Sequence, residues 1–234
     1  MNNTIAIIVA MYSEARPIIS RLNMEAVNDL FDHRLPLKSY KCPGQNVYLV
    51  LNGKCPKHRV DRIGTQAAAI SAWEAIRTLS PRLLISAGTA GGFKANGDAI
   101  SDVYVSKKYI RYHSRIIPFE PFISYQTGEF KCIDMAAVAK TLDLKEGIIS
   151  TGDSVVLEKS EWSGLMVQGI SALDMEAAAI AEIAEFSGVD MLAIKVISDF
   201  MDVDECIVEQ FSKNREAAVS SLAAKIEQLI SFLV

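Results

Sequence analysis

Four short runs of nearly unbroken apolar residues constrain this chain most: Thr4 to Ala10, Val47 to Leu51, Leu83 to Ala87 and Met191 to Ile197. A strand with one wet face alternates polar and apolar side chains. These runs do not alternate, so both of their faces need cover, as in a parallel or mixed sheet. No run approaches the roughly 18 apolar residues that would read as a membrane span. The first run lacks a basic leader and soon meets Glu14, which reads as a buried strand rather than a signal peptide.

Stretches of helical period lie between the runs. Ser13 caps an expected helix to about Arg21, with Glu14 in its first turn and Pro17 early enough to be tolerated. Thr65 to Leu79 and Ser212 to Phe232 are further helices. The run LDMEAAAIAEIAEF is a helix by composition, with Asp174 as N-cap and Glu176 in the first turn. Val103 to Ser106 and Gly147 to Thr151 read as strands, and Met135 to Leu142 as a short helix. Residues 23–44 and 108–131 read as irregular, the second as a long loop with some strand. Residues 158–168 fit helix or loop. Buried strands alternating with helices, with no linker or repeat, give one α/β domain over residues 1–234 with helices on both sheet faces.

Composition narrows the function. The net charge of −4 disfavours nucleic acid as a main partner, because neutralising phosphates needs a basic face. The four cysteines (Cys42, Cys55, Cys132, Cys206) show no C-x-x-C spacing, so free thiols in a reducing, cytoplasmic setting are expected, with no zinc site.

Several strands end in polar or glycine-rich turns: Met11 to Glu14, Gly88 to Gly92, Thr151 to Asp153, and Ser198-Asp199. In open α/β sheets, ligands bind beyond the carboxyl ends of strands. Glu14, Glu176 and Asp199 therefore have a reason to meet. Each alone has a plainer role as a dipole partner or cap, and the glycines alone could serve packing. Together they suit glycosyl chemistry, in which one carboxyl group protonates the leaving group, another activates water, and negative charge steadies an oxocarbenium-like sugar.

The motifs IVAMYSEARPI, SAGTAGGFKANGD, STGDS, LDMEAAAIA and KVISDF follow one another in an order that resembles the 5′-methylthioadenosine/S-adenosylhomocysteine nucleosidases of the purine nucleoside phosphorylase family, nearest to the plant type. The resemblance implies a three-layer α/β/α domain around a mixed, partly barrel-like sheet. It implies hydrolysis of the N-glycosidic bond of 5′-methylthioadenosine, and of S-adenosylhomocysteine as a further substrate, without cofactor or metal. It implies Glu14 as the water-activating base, Asp199 with Ser198 at purine N7 and the exocyclic amine, and Glu176 and Met175 at the ribose hydroxyls. Thr89 would line the ribose and water side, and the backbone around Val156 would meet the purine edge. Burial and nearby negative charge, which Glu176 could supply, are both expected to raise the Asp199 pKa and keep it protonated. The family is usually homodimeric, with a partner segment closing the 5′ end of the pocket; here the aromatic stretch Tyr109 to Phe122 is the candidate. Val155 stands where an aromatic residue usually stacks on the purine, and Val208 at a position sometimes aromatic near the 5′ pocket.

Three alternatives stay open at this level. A phosphate-dependent phosphorylase could use the basic residues Lys54, Lys57, His58, Arg59 and Arg62 ahead of a helix N-terminus. Another purine nucleoside such as futalosine could be the substrate. A binding protein on the same scaffold would not need a poised acid and base.

Overall fold

The structure, a computed structural model, describes residues 3–234. Its elements in chain order are β1 (Ile5–Val9), α1 (Tyr12–Arg21), β2 (Glu25–Val27), β3 (Lys38–Lys41), β4 (Val47–Leu51), α2 (Thr65–Leu79), β5 (Leu83–Gly92), β6 (Val103–Tyr112), α3 (Phe122–Thr127), β7 (Phe130–Lys131), α4 (Ala136–Leu142), β8 (Lys145–Thr151), α5 (Lys159–Val167), β9 (Ile170–Asp174), α6 (Ala177–Ser187), β10 (Asp190–Phe200) and α7 (Ile207–Leu233).

One ten-stranded mixed sheet joins them. β5 pairs in parallel with β1 and β10; β10 meets β6 antiparallel; β6, β8 and β9 run parallel to one another. β9 then returns to β5 through the antiparallel pair Leu173–Gly91. Five strands thus close into a ring, while β1, β4, β3 and β2 extend from it as an open wing. This is the partly barrel-like sheet that the resemblance implies.

Both faces of the long strands are covered. Ile5, Ile7 and Val9 of β1 share one core with Ile18 of α1, Val138 of α4 and Leu222 and Ile226 of α7. Ala6 and Ile8 face the other way, into a core with Ala68, Ala72 and Ala75 of α2 and Ala177, Ala178, Ala181 and Ala184 of α6. The alanines keep α2 and α6 close to the sheet and to each other, which brings the starts of these two helices together. A third, smaller core joins Phe93, Leu173 and Met201 under α5.

The elements differ from the sequence reading mainly at their ends. The glycine-rich stretch 88–92 is strand, not turn, because β10 continues alongside it to the pair Phe200–Gly92. Ser198 and Asp199 likewise lie within β10 rather than beyond it. Residues 170–174 form β9, and α6 starts only at Ala177, so Glu176 is the N-cap residue rather than a first-turn one. Asp174 still caps in the chemical sense, since its Oδ2 accepts the N–H groups of Glu176 (3.2 Å) and Ala177 (2.8 Å). Helix α1 begins at Tyr12 with Met11, not Ser13, at the N-cap. Within 108–131, β6 runs on to Tyr112, and α3 and β7 follow; β2 and β3 fall within 23–44. Residues 159–167 are helical, with the Glu161 carboxylate accepting the Glu158 N–H (2.8 Å) at the cap. Helix α7 starts before the expected Ser212.

Candidate active site

A cavity of about 270 Å³ opens beyond the end of β1 and against the C-terminal parts of β5 and β10. Glu14, Thr89, Met175, Glu176, Ser198, Asp199 and Val155 all line it. The three acids singled out in the sequence therefore share one hollow. Val156 is exposed, and its neighbours Val155 and Leu157 line the cavity in its place. Met201, Leu157, Ile207, Val208 and Ile63 make much of the rest apolar. Phe211 of α7 is the one aromatic side chain among the lining residues. It went unnoticed in the sequence because it lies on an ordinary amphipathic helix.

Glu14 leaves the first turn of α1 and is almost fully buried. Its Oε1 accepts the Thr89 N–H and the Thr89 hydroxyl, each at 2.7 Å, and its Oε2 accepts the Met11 N–H at 3.3 Å. Burial pushes its pKa up; the Thr89 hydrogen bonds and the charge of Lys195 oppose that rise. Gly88 lets β5 pass this carboxylate, since a Cβ there would lie 3.2 Å from Oε1.

Asp199 is also buried, and its Oδ2 accepts the Ser198 hydroxyl at 2.7 Å. Burial raises its pKa against the lowering effect of Ser198. Loss of water lifts this group, without the contribution expected from Glu176. A Cβ on Gly91 would sit 3.3 Å from Asp199 Oδ1 and 2.8 Å from Met201 Sδ, so a side chain there would crowd the acid and displace Met201.

Glu176 reaches the cavity from the start of α6. Its Oε1 accepts the Gly64 N–H at 2.9 Å, a contact that depends on the close packing of α2 and α6. Burial raises its pKa to about 7; Lys195 pulls it down, and the charges of Asp174 and Glu14 push it up. Gly64 adopts φ of +92° to present this N–H, a conformation that favours glycine.

Lys195 is a second residue the sequence reading missed. It lies mid-strand in β10, 1 % exposed, and its Nζ is 2.8 Å from Asp174 Oδ2. A charged residue inside an otherwise apolar strand was the available signal, because lysine is almost never fully buried unless paired.

The basic stretch 54–62 does not line the cavity, and Lys54, Lys57, His58 and Arg59 are exposed. The aromatic stretch 109–122 does not line it either. Beyond β6, Ile116, Phe119, Phe122, Ile123 and Tyr125 are exposed on the surface. Among the described residues, no cluster of His, Cys, Asp and Glu could hold a metal ion, and no helix is long and apolar enough to cross a membrane.

The profile of the phosphorylase superfamily matches residues 4–231. A 5′-methylthioadenosine/S-adenosylhomocysteine nucleosidase of Arabidopsis thaliana is 34 % identical over 99 % of this chain and 92 % of its own length. A crystal structure of an MTA/SAH nucleosidase superposes with a TM-score of 0.94 at 33 % identity, covering 99 % of this chain and 96 % of the other. The apo 5′-methylthioadenosine nucleosidase of Arabidopsis thaliana gives a TM-score of 0.93 at 28 % identity, over 99 % and 96 % of the two chains. The chain belongs to the phosphorylase superfamily, within its 5′-methylthioadenosine/S-adenosylhomocysteine nucleosidase branch.

Proposed function

We propose that this protein hydrolyses the N-glycosidic bond of 5′-methylthioadenosine, releasing adenine and 5-methylthioribose. The observation that carries the reading is the convergence of Glu14, Glu176 and Asp199 on one cavity in a chain of this family. Exclusion of water favours the protonated form of Asp199, which delivers that proton to N7 of the purine as the C1′–N9 bond breaks. Glu14, held by Thr89, takes a proton from the attacking water, whose oxygen bonds to C1′. Its raised pKa makes it a stronger base than an exposed glutamate. Glu176, with Met175 beside it, holds the ribose hydroxyls and places negative charge near the developing sugar cation. Ser198 orients Asp199 through its hydroxyl.

Val155 gives the purine dispersion without a ring face, and Phe211 supplies the aromatic surface in the cavity. The apolar side chains Ile63, Ile207 and Val208 suit a thioether substituent at the 5′ position. A free amino-acid tail, as in S-adenosylhomocysteine, has to extend beyond them, and we infer that it is the poorer substrate. Phosphorolysis is disfavoured because the basic stretch stands outside the cavity and ionised Glu14 repels phosphate at short range. The exposed apolar side chains of residues 116–125 support a homodimer in which this segment meets the partner. Four unpaired thiols fit a cytoplasmic location.

The test is adenine release from both thioethers, with and without phosphate, in water enriched in oxygen-18. Label at C1 of the sugar without phosphate supports hydrolysis. Strict phosphate dependence with a sugar phosphate as product rejects it.

A further inference from the structure

A buried ammonium among three carboxylates poses a problem of selection. Lys195 lies near Asp174, Glu176 and Glu14, and all three favour its charged form. In a site shielded from water, opposite charges attract strongly. Had the ammonium closed on Glu176 or Glu14, that carboxylate would be neutralised and turned away from the cavity. Among the described residues, Asp174 is the one carboxylate within 4 Å of Nζ, and its side chain is fully buried.

We infer that Asp174 is a positioning residue that occupies Lys195, so that Glu176 and Glu14 stay unpaired and available to the nucleoside. Four donors fix Asp174 in this task. The Thr151 hydroxyl donates to Oδ1, while Lys195 and the N–H groups of Glu176 and Ala177 serve Oδ2. Thr151 has little freedom to do otherwise, because its own oxygen accepts the Ala178 N–H at 2.8 Å and its proton must point elsewhere. Glu176, by contrast, is held through the single Gly64 N–H. Asp174, which also lines the cavity but has no role in the cleavage, is tied down by four donors, and the ribose-facing Glu176 is the one left loosely held.

The titratable groups around Glu176 are Lys195 on β10, Asp174 on β9 and Glu14 on α1. Asp174 also faces His113 of the segment after β6, a ring whose burial favours its neutral form. These neighbours give the inference a pattern of signs. Asp174→Asn keeps an oxygen to cap α6 but loses the negative charge that holds the ammonium. Lys195 then closes on Glu176. The acidic limb of kcat/KM moves to lower pH, and its plateau falls roughly ten- to hundredfold, the worth of a lost charge-assisted contact. Lys195→Met does the reverse to the limb, moving it to higher pH, because Glu176 loses its cation. The double variant returns the limb close to wild type, since the two opposing charges leave together.

The experiment measures kcat/KM against pH for the wild type and the three variants. Alongside it, the Glu176 carboxyl carbon is titrated by 13C NMR, identified by its absence in Glu176→Gln. A limb and a titration in Asp174→Asn that stay in place or move upward overturn the inference, whatever happens to stability. Should Asp174→Asn not fold, the double variant decides: removing both members of a buried pair is tolerated far better than removing one. A Glu176 titration in the double variant well away from the wild-type value would then refute it. The kinetic arm rests on the nucleosidase reading. If the wild type releases no adenine, that reading fails, while the carboxyl titration still tests the role of Asp174.

Discussion

Replacing Glu176 with glutamine should make the protein more stable while removing its activity. The folded-state pKa of about 7 stands against an ordinary value of 4.5 in the unfolded chain. Each unit of difference is worth about 1.4 kcal/mol. An acid with a raised folded pKa contributes stability that is complete below its unfolded pKa and is lost as pH rises through its folded one. At pH 8 the wild type therefore carries a cost of about 3 kcal/mol for keeping this carboxylate ionised. Glutamine keeps an oxygen for the Gly64 N–H and never ionises, so it recovers most of that cost. For a chain of this length, about 3 kcal/mol corresponds to a rise in Tm of roughly 6–12 °C. At pH 5 the wild-type group is already protonated when folded, and the advantage shrinks to about 1 kcal/mol. The assay is thermal unfolding of both proteins at pH 8 and pH 5, with adenine release measured beside it. A variant less stable than wild type at pH 8, or an equal gain at both pH values, would refute the reasoning, because it would show that ionised Glu176 carries no burial cost.

Other expectations follow from the same geometry. Glu14→Gln should fold normally, because the Thr89 contacts tolerate an amide oxygen, yet lose at least about 100-fold in kcat; near-normal turnover would mean that the water is activated elsewhere. The wild-type rate should fall as pH rises through the raised pKa of Asp199, since the proton donor is then lost; a rate that keeps rising with pH would contradict the assignment. Gly91→Ala should reduce kcat more than it raises KM, because the new Cβ presses on Met201 and Asp199; a steady-state comparison checks this. Val155→Phe should tighten adenine inhibition by about 2–10-fold through stacking, and an unchanged inhibition constant would show that the purine does not lie against this position.

The parts of this molecule that could be read from its sequence are those where one physical requirement dominates. The unbroken apolar runs marked β1, β4, the first half of β5 and most of β10, because only strands covered on both faces dispense with alternation. Helix α2 was legible over its whole length, Thr65–Leu79, and Glu14, Glu176 and Asp199 were singled out as acids at strand ends. What stayed hidden depended on partners distant in the chain. Gly88 to Gly92 read as a turn, since nothing local shows that β10 runs beside them. Residues 170–174 are too short and mixed to announce β9, and so Asp174 looked like a helix cap alone. Its pairing with Lys195 joins two strands that do not neighbour each other in the sheet. Burial and the charge of Glu176 were both expected to lift the Asp199 pKa, and burial is the one that does so. Burial of that kind is a property of the folded cavity and cannot be counted from sequence spacing.

The most direct probe of the whole account is the rate of adenine production from 5′-methylthioadenosine by Asp199→Asn, in phosphate-free buffer beside the wild type. The account expects steady release by the wild type, and a folded variant that still binds the nucleoside but releases adenine about 100- to 10,000-fold more slowly. A variant within a few-fold of wild type would contradict it, because the buried proton that cleavage requires would then be coming from somewhere else.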